Sequence, residues 1–351
     1  MKLEQMPRYP LLCGFTPLQR MENLEQALGC GPLYIKRDDL TPLGLGGNKT
    51  RKLEFLLGDA LAGGADTLVT VGGVQTNHGR LTAAAAAKAG LACTLVLDGA
   101  RPEKLSGNLL LDCLLERLER ELDEQSEHSR ESHRRLWDHK DGRSTSAVIE
   151  ETLAALQAAG RAPYFIPEGG SNAVGSAGYL AMVPELLAQA DSLPVPPARL
   201  VCTMGSLGTF AGLWLGARAF GAPFSVTGVA VNPTTGYTRE KAAALVNEMS
   251  AAYGLDIAAA PEDMDIIYAD AAHDYAGPGY NVPDAKTRGA VELLARTEGI
   301  FLDPCYTAKS FRGFCDIARE LDGGAIFVHT GGTPALWTQE HLDAFAADYW
   351  N

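Results

Sequence analysis

Two stretches of the chain carry residue types able to do chemistry. In Gly44-Leu45-Gly46-Gly47-Asn48-Lys49-Thr50-Arg51-Lys52 a lysine closes a glycine-rich run. Glycines permit close backbone approach and unusual torsions. The apolar pattern over Leu53–Leu61 predicts a helix that this lysine opens, and helix starts favour anions. A lysine amine that is desolvated, or held near a second cation such as Lys52, is able to form a Schiff base. A Walker A loop is excluded, because that pattern needs glycine where Leu43 and Asn48 stand. Asn48-Lys49-Thr50 also matches the glycosylation sequon, an accidental match in a chain expected to be cytoplasmic. By spacing alone, a solvated lysine on a turn stays open as the plain alternative.

The second stretch, Leu200-Val201-Cys202-Thr203-Met204-Gly205-Ser206-Leu207-Gly208-Thr209-Phe210-Ala211-Gly212, reads strand, glycine-rich turn, helix. Such a turn aims backbone N–H groups inward, and the helix start adds unpaired donors and the positive end of its dipole. Ser206 and Thr209 add hydroxyls, so Gly205, Ser206, Leu207, Gly208 and Thr209 form a candidate phosphate cradle. The run is not G-x-G-x-x-G and lacks an acidic partner for a ribose, which disfavours a dinucleotide. A purely structural strand–helix turn is the alternative. A lysine for an aldehyde and a cradle for one phosphate together match the needs of pyridoxal phosphate.

The elements that must position these stretches alternate along the chain. Thr67–Val71, Cys93–Leu97, Tyr164–Ile166, Leu200–Thr203, Val226–Val231 and Ile326–His329 read as buried strands. Between them Arg80–Ala89, Gly178–Ala190, Thr209–Phe220 and Thr287–Thr297 read as helices. This alternation predicts an α/β fold with mostly parallel sheet. Leu109–Gln157 is charged and reads as a solvated helical pair with a loop around Ser126–Ser146.

Bulk properties narrow the partners. With 351 residues, 46% hydrophobic and 21% charged, the chain is globular and long enough for two ordinary domains. A formal net charge of -13 argues against nucleic acid or an anionic membrane as partner. The seven cysteines are scattered without a C-x-x-C pair, and His128, His133 and His139 lack convergent partners, so no metal site is expected. The N-terminus lacks signal-peptide character and no apolar stretch is long enough to span a bilayer, so a cytoplasmic protein is expected.

Gly46-Gly47-Asn48-Lys49-Thr50-Arg51-Lys52-Leu53-Glu54-Phe55 resembles the cofactor-lysine motif of the D-cysteine desulfhydrase and 1-aminocyclopropane-1-carboxylate (ACC) deaminase family. These are tryptophan-synthase-β-like, fold type II pyridoxal-phosphate enzymes. The likeness extends from Thr16-Pro17-Leu18 through Lys36-Arg37-Asp38-Asp39 to His329-Thr330-Gly331-Gly332-Thr333-Pro334-Ala335-Leu336, with Leu109–Gln157 the poorest match. It implies two open, twisted parallel-sheet α/β domains with the cofactor, pyridoxal 5'-phosphate, in the cleft. The large domain would comprise 1–52 and 166–351, with a smaller one inserted at 53–165.

The resemblance also implies roles. Lys49 would carry the cofactor and then take the α-proton of a small amino-acid substrate. Asn48 would bond the ring oxygen, and Gly205–Thr209 the phosphate. Gln75-Thr76-Asn77-His78 would bind the substrate carboxylate. Tyr280 would lie near the cofactor face and Tyr306 near the ring, with Thr307 beside its nitrogen. Relatives form homodimers. ACC deaminases carry glutamate at the position of Thr307, so threonine there argues for β-elimination over ring opening. Thr76 stands where the family has serine; its extra methyl is expected to narrow the pocket, with Gly79 offsetting the crowding. D-Cysteine is then the expected substrate, with L-cysteate or ACC as alternatives and a silent, ligand-binding homologue as the reading of another class.

Overall fold

The computed structural model describes residues 3–99, 101–123, 133–137, 144–232, 236–270 and 272–350, with backbone only for 116–123 and 133–137. The strands are β1 (Leu18–Arg20), β2 (Leu33–Lys36), β3 (Thr67–Gly73), β4 (Ala92–Asp98), β5 (His133–Trp137), β6 (Pro163–Ile166), β7 (Pro197–Met204), β8 (Ser225–Ala230), β9 (Ile266–Ile267) and β10 (Gly324–Val328). The helices are α1 (Glu22–Leu28), α2 (Lys49–Ala62), α3 (Asn77–Ala89), α4 (Gly107–Asp123), α5 (Thr145–Ala158), α6 (Ala173–Leu180), α7 (Met182–Ala190), α8 (Gly208–Ala219), α9 (Arg239–Tyr253), α10 (Ala285–Glu298), α11 (Thr307–Glu320) and α12 (Gln339–Trp350).

Two sheets result. One has the order β1-β2-β10-β7-β8-β9, parallel except for β1 against β2. The other has the order β5-β4-β3-β6 and is parallel throughout. The central strands are apolar almost without break: Ala325, Ile326, Phe327 and Val328 of β10 are fully buried. That is the composition a parallel sheet needs when helices cover both faces. Two apolar clusters cover the large sheet, around Phe210 and Met249 and around Phe311 and Phe327, and a third, around Leu53, Leu81 and Leu95, fills the small one.

Several expectations shift. The segment Leu109–Gln157 is not simply a helical pair with a loop: β5 lies within it and adds an edge to the small sheet. Its arginines hid it, because edge strands tolerate charge that central strands do not. His128 and His139 lie outside the described residues, as does the side chain of His133. The single helix expected over Gly178–Ala190 is two, α6 and α7. Pro184 has no N–H to give the Leu180 carbonyl, and the ladder breaks there. The expected domain limits fall inside elements, 52/53 within α2 and 165/166 within β6. Among the described residues no helix is long and apolar enough to cross a membrane.

Candidate active site

Six loops at the carboxyl ends of parallel strands meet around one cavity, where open α/β sheets place their ligands. The cavity holds about 350 Å³ and is lined by Asn48 and Lys49, by Gly73 and Thr76–His78 after β3, and by Asp98 at the end of β4. Glu168 and Gly169 follow β6, Gly205 and Ser206 follow β7, Asn232 follows β8, and Thr330 and Gly331 follow β10. Thr203, Thr209, Tyr280 and Tyr306 complete the wall. A volume in the range of roughly 300–1,000 Å³ suits a small cofactor or ligand.

Lys49 is the first residue of α2, which therefore starts four residues before the expected Leu53. The loop before it is tight: Gly46 has φ 74°, and a Cβ there would collide with the Asp39 carbonyl oxygen. The Asn48 backbone N–H donates to Thr330 O at 2.9 Å, and its side-chain amide donates to Thr209 Oγ1 at 3.0 Å. The lysine loop is thus tied to both the β10 and the α8 loops.

The Lys49 amine lines the cavity, and among the described residues no hydrogen bond or ion pair engages it. Burial pulls its pKa down to about 8, with the Glu168 carboxylate opposing the shift. Desolvation is the leading cause for Lys49, and the mutual repulsion of the two amines helps to hold Lys52 below its usual range. A neutral amine is the reactive form. Covalent uptake of pyridoxal phosphate by the apoprotein should accordingly rise with pH and reach half its limit near pH 8. An unperturbed lysine would still be climbing at pH 10. Stopped-flow uptake across pH 6.5–10 checks this, and a half-point near 10.5 would refute the assignment.

Lys52 pairs with neither Glu54 nor Asp59, the carboxylates near it in sequence. Its ammonium is fully buried, donates to Gly169 O at 2.9 Å, and is held well below the usual lysine range by burial and by Lys49. Around it lies the cradle. A Cβ on Gly208 would come within 2.7 Å of both Lys52 Nζ and Ser176 Oγ, and 3.0 Å of Ser171 Oγ. The Ser176 hydroxyl is fully buried and has no partner among the described residues. Ser171 Oγ donates to Ser206 Oγ at 3.0 Å and accepts from the Gly208 N–H at 3.1 Å. A buried ammonium without a carboxylate, an orphan hydroxyl and the start of α8 together call for an anion. The residues fit the phosphate of pyridoxal phosphate, which Ser206, Gly208 and Thr209 would hold with Lys52 and Ser171. Leu207 contributes backbone only; its side chain is buried in the core beneath.

Opposite the cradle, Thr76 caps α3: its hydroxyl accepts from the Gly79 N–H at 3.2 Å. Gln75 does not line the cavity but anchors the loop, its Oε1 accepting from the Asn108 N–H at 2.8 Å. His78 is buried, and its Nε2 pairs with Thr70 Oγ1 at 2.8 Å. Thr70 gives its own proton to Ile166 O, so Nε2 carries the ring proton. Burial and the two lysines hold His78 well below its usual pKa, and it stays neutral.

The Thr76 methyl does not narrow the cavity as expected. It points at Gly79, where a Cβ would lie 2.5 Å from Thr76 Cγ2. The two residues are therefore a matched pair. Gly79→Ala should lower kcat/KM by about tenfold or more by displacing Thr76, although alanine by itself favours the helix by about 1 kcal/mol. Thr76→Ser removes the clashing methyl, so Gly79→Ala in that background should cost less than about threefold. A double-mutant cycle giving no coupling would refute the pairing.

Tyr306 OH donates to Tyr280 OH at 3.2 Å, with the rings edge-on at 5.8 Å, and burial holds both phenols far above their usual pKa. Thr307 is not brought to the cavity. It is fully buried, donates its hydroxyl proton to Asp303 Oδ1 at 2.7 Å and accepts from the Asp303 N–H. Thr330, in the loop after β10, does line the cavity. His329 is buried beside them, accepting from the Gly331 N–H and donating to Phe301 O.

Sequence reasoning missed Lys52 as a cradle residue, and missed Ser171 and Glu168. The signal was present in Glu168-Gly169-Gly170-Ser171-Asn172, a second glycine turn between a strand and a helix.

Comparison with known proteins agrees with this geometry. Residues 10–331 match the family described as pyridoxal-phosphate dependent enzyme. A protein of Yersinia enterocolitica named D-cysteine desulfhydrase is 38% identical over 351 residues, covering 96% of this chain and 97% of the relative. A solved structure described as an ACC deaminase homologue superimposes with a TM-score of 0.83 at 34% identity, covering 98% of this chain and 97% of that one. A fungal L-serine ammonia-lyase from Rhizomucor miehei shares the fold at a TM-score of 0.62 and 18% identity, over 96% and 98% of the two chains. A cavity amine, an anion cradle and a match over most of its length place this chain in the pyridoxal-phosphate dependent enzyme family, on the side of the D-cysteine desulfhydrase and ACC deaminase relatives.

Proposed function

We propose that the protein eliminates the β-substituent of a small amino acid, with D-cysteine as substrate: D-cysteine and water give pyruvate, hydrogen sulfide and ammonia. The observation that carries this reading is the depressed, unpartnered Lys49 amine facing the capped start of α3 across one cavity. Bound pyridoxal 5'-phosphate supplies the aldehyde that captures the substrate amine and the electron sink that makes the α-proton removable. The protein does the rest. The α3 N-terminus and Asn77 take the substrate carboxylate, and Thr76 fixes that loop through its cap. Lys49, neutral near pH 8, removes the α-proton. Tyr280, whose oxygen accepts the Tyr306 hydrogen bond, keeps its own proton and offers it as a hydrogen bond to the sulfur, which leaves with its own hydrogen as hydrosulfide. The 38% identical D-cysteine desulfhydrase supports the substrate.

ACC deamination is the second reading, favoured by the ACC deaminase homologue among solved structures. The protein is further taken to act as a cytoplasmic homodimer, in keeping with seven free thiols. Light scattering near twice 37.3 kDa tests the dimer. The function is tested by a panel of both enantiomers of cysteine, 3-chloroalanine and cysteate scored for pyruvate, with ACC scored for 2-oxobutyrate. Yellow holoprotein that yields neither product from any of them defeats the proposal.

A further inference from the structure

We propose that Glu168 makes this cavity select against amino acids whose β-substituent is anionic. The inference rests on the elimination reading and narrows its substrate class. Glu168 lies two residues past the end of β6 and lines the same cavity as Lys49. The Tyr237 hydroxyl donates to its Oε2 at 2.7 Å, which fixes the carboxylate from behind. Its Oε1 has no hydrogen-bond partner, and no salt bridge engages Glu168, among the described residues.

The charges around the cavity are unbalanced. Its ionisable lining consists of Lys49, Asp98, Glu168, a neutral His78 and two phenols that keep their protons. Among the described residues no arginine lines it. Arg80 runs beneath the α3 loop but is buried, bonded to Asn108 Oδ1 at 2.7 Å and Gly46 O at 3.1 Å. Lys52 belongs to the cradle. Once Lys49 is neutral, as proton removal requires, Glu168 stays on the wall as a carboxylate that no cation engages among the described residues. The substrate's own carboxylate is met by N–H donors at α3. A second anion, such as a sulfonate, meets Glu168 and no cation. Like charges brought together in a partly desolvated cleft repel by more than in bulk water. A thiol, a chloride or an ammonium suffers no such repulsion.

The test uses holoprotein and reads binding from the cofactor's visible band, so it does not depend on turnover. Dissociation constants are measured for cysteate (anionic β-substituent) and serine (neutral), each as both enantiomers, for wild type, Glu168→Gln and Tyr237→Phe. Glu168→Gln should tighten cysteate by about tenfold or more and leave serine within about twofold. Tyr237→Phe frees the carboxylate but keeps its charge, and should leave the cysteate-to-serine ratio within about threefold. In wild type the discrimination should shrink between 0.05 and 0.5 M salt, as screening requires. Equal shifts for both ligands in Glu168→Gln, or a salt-independent ratio, would overturn the proposal. Absence of turnover on the panel above, with this discrimination intact, would overturn only the elimination reading.

Discussion

Lys49→Ala should abolish product formation, by at least about a thousandfold, and leave the protein folded. Two functions are lost at once, the covalent hold on the cofactor and the base that moves the α-proton; positioned proton transfer alone is worth about 10²–10⁴. The fold should not notice. The amine makes no hydrogen bond or ion pair among the described residues, and alanine is a good first residue for α2. Urea midpoints of the apoproteins should therefore agree closely. The rivals for the aldehyde are the other buried amines, Lys52, Lys36 and Lys309. Each has an oxygen to hold: Gly169 O, Thr16 O with Gln189 Oε1, and Gly279 O. Borohydride reduction followed by peptide mapping decides among them. A pyridoxyl group on any lysine other than Lys49 in wild type, or persistent covalent uptake by Lys49→Ala, would sink the assignment.

What the sequence showed follows from which interactions are local. Lys49 and the Gly205–Thr209 turn were legible because glycine-rich turns before helices are written in consecutive residues. The central strands were legible because burial on both faces makes them uniformly apolar. The cradle's remaining members were not. Lys52 looks from its neighbours like a surface lysine four residues along from Asn48. Only folding sets it beside Gly169, Ser171 and Ser176, more than a hundred positions away. The spacing of Thr76 suggests crowding of its pocket, whereas folding turns its methyl toward Gly79, a matter of rotamer and not of spacing. Thr307 and Thr330 are alike in sequence; what separates them is that the Asp303 backbone and carboxylate engage the first hydroxyl. Short β1 and β2 escaped because β1 is polar and partly exposed and β2 ends in a buried lysine.

That buried lysine leads to the largest expected loss of stability, from Arg51→Met. Arg51 joins Asp38 through Nε and Nη2 at 2.8 and 2.9 Å, and Glu185 through Nη1 and Nη2, both at 2.9 Å. Lys36 also pairs with Glu185, Tyr179 OH donates to Asp38 Oδ2 at 2.6 Å, and Thr16 Oγ1 donates to Asp38 Oδ1 at 2.7 Å. Two cations balance two carboxylates, all nearly excluded from solvent. The network binds β2, the turn after it, α2, α6 and α7, and so fixes the helix that presents Lys49. Methionine fills the volume but leaves Asp38 and Glu185 facing one ammonium. An uncompensated buried charge costs about 3–5 kcal/mol. Lysine should not rescue it, since a point charge cannot span two carboxylates as the planar fork does. Arg296→Met, which removes an exposed pair with Glu292 one helical turn away, should cost no more than about 0.5 kcal/mol. Urea unfolding of the apoproteins separates these cases. If Arg51→Met were no less stable than Arg296→Met, the buried network would not be what holds α2 in place, and the position of Lys49 would need another cause.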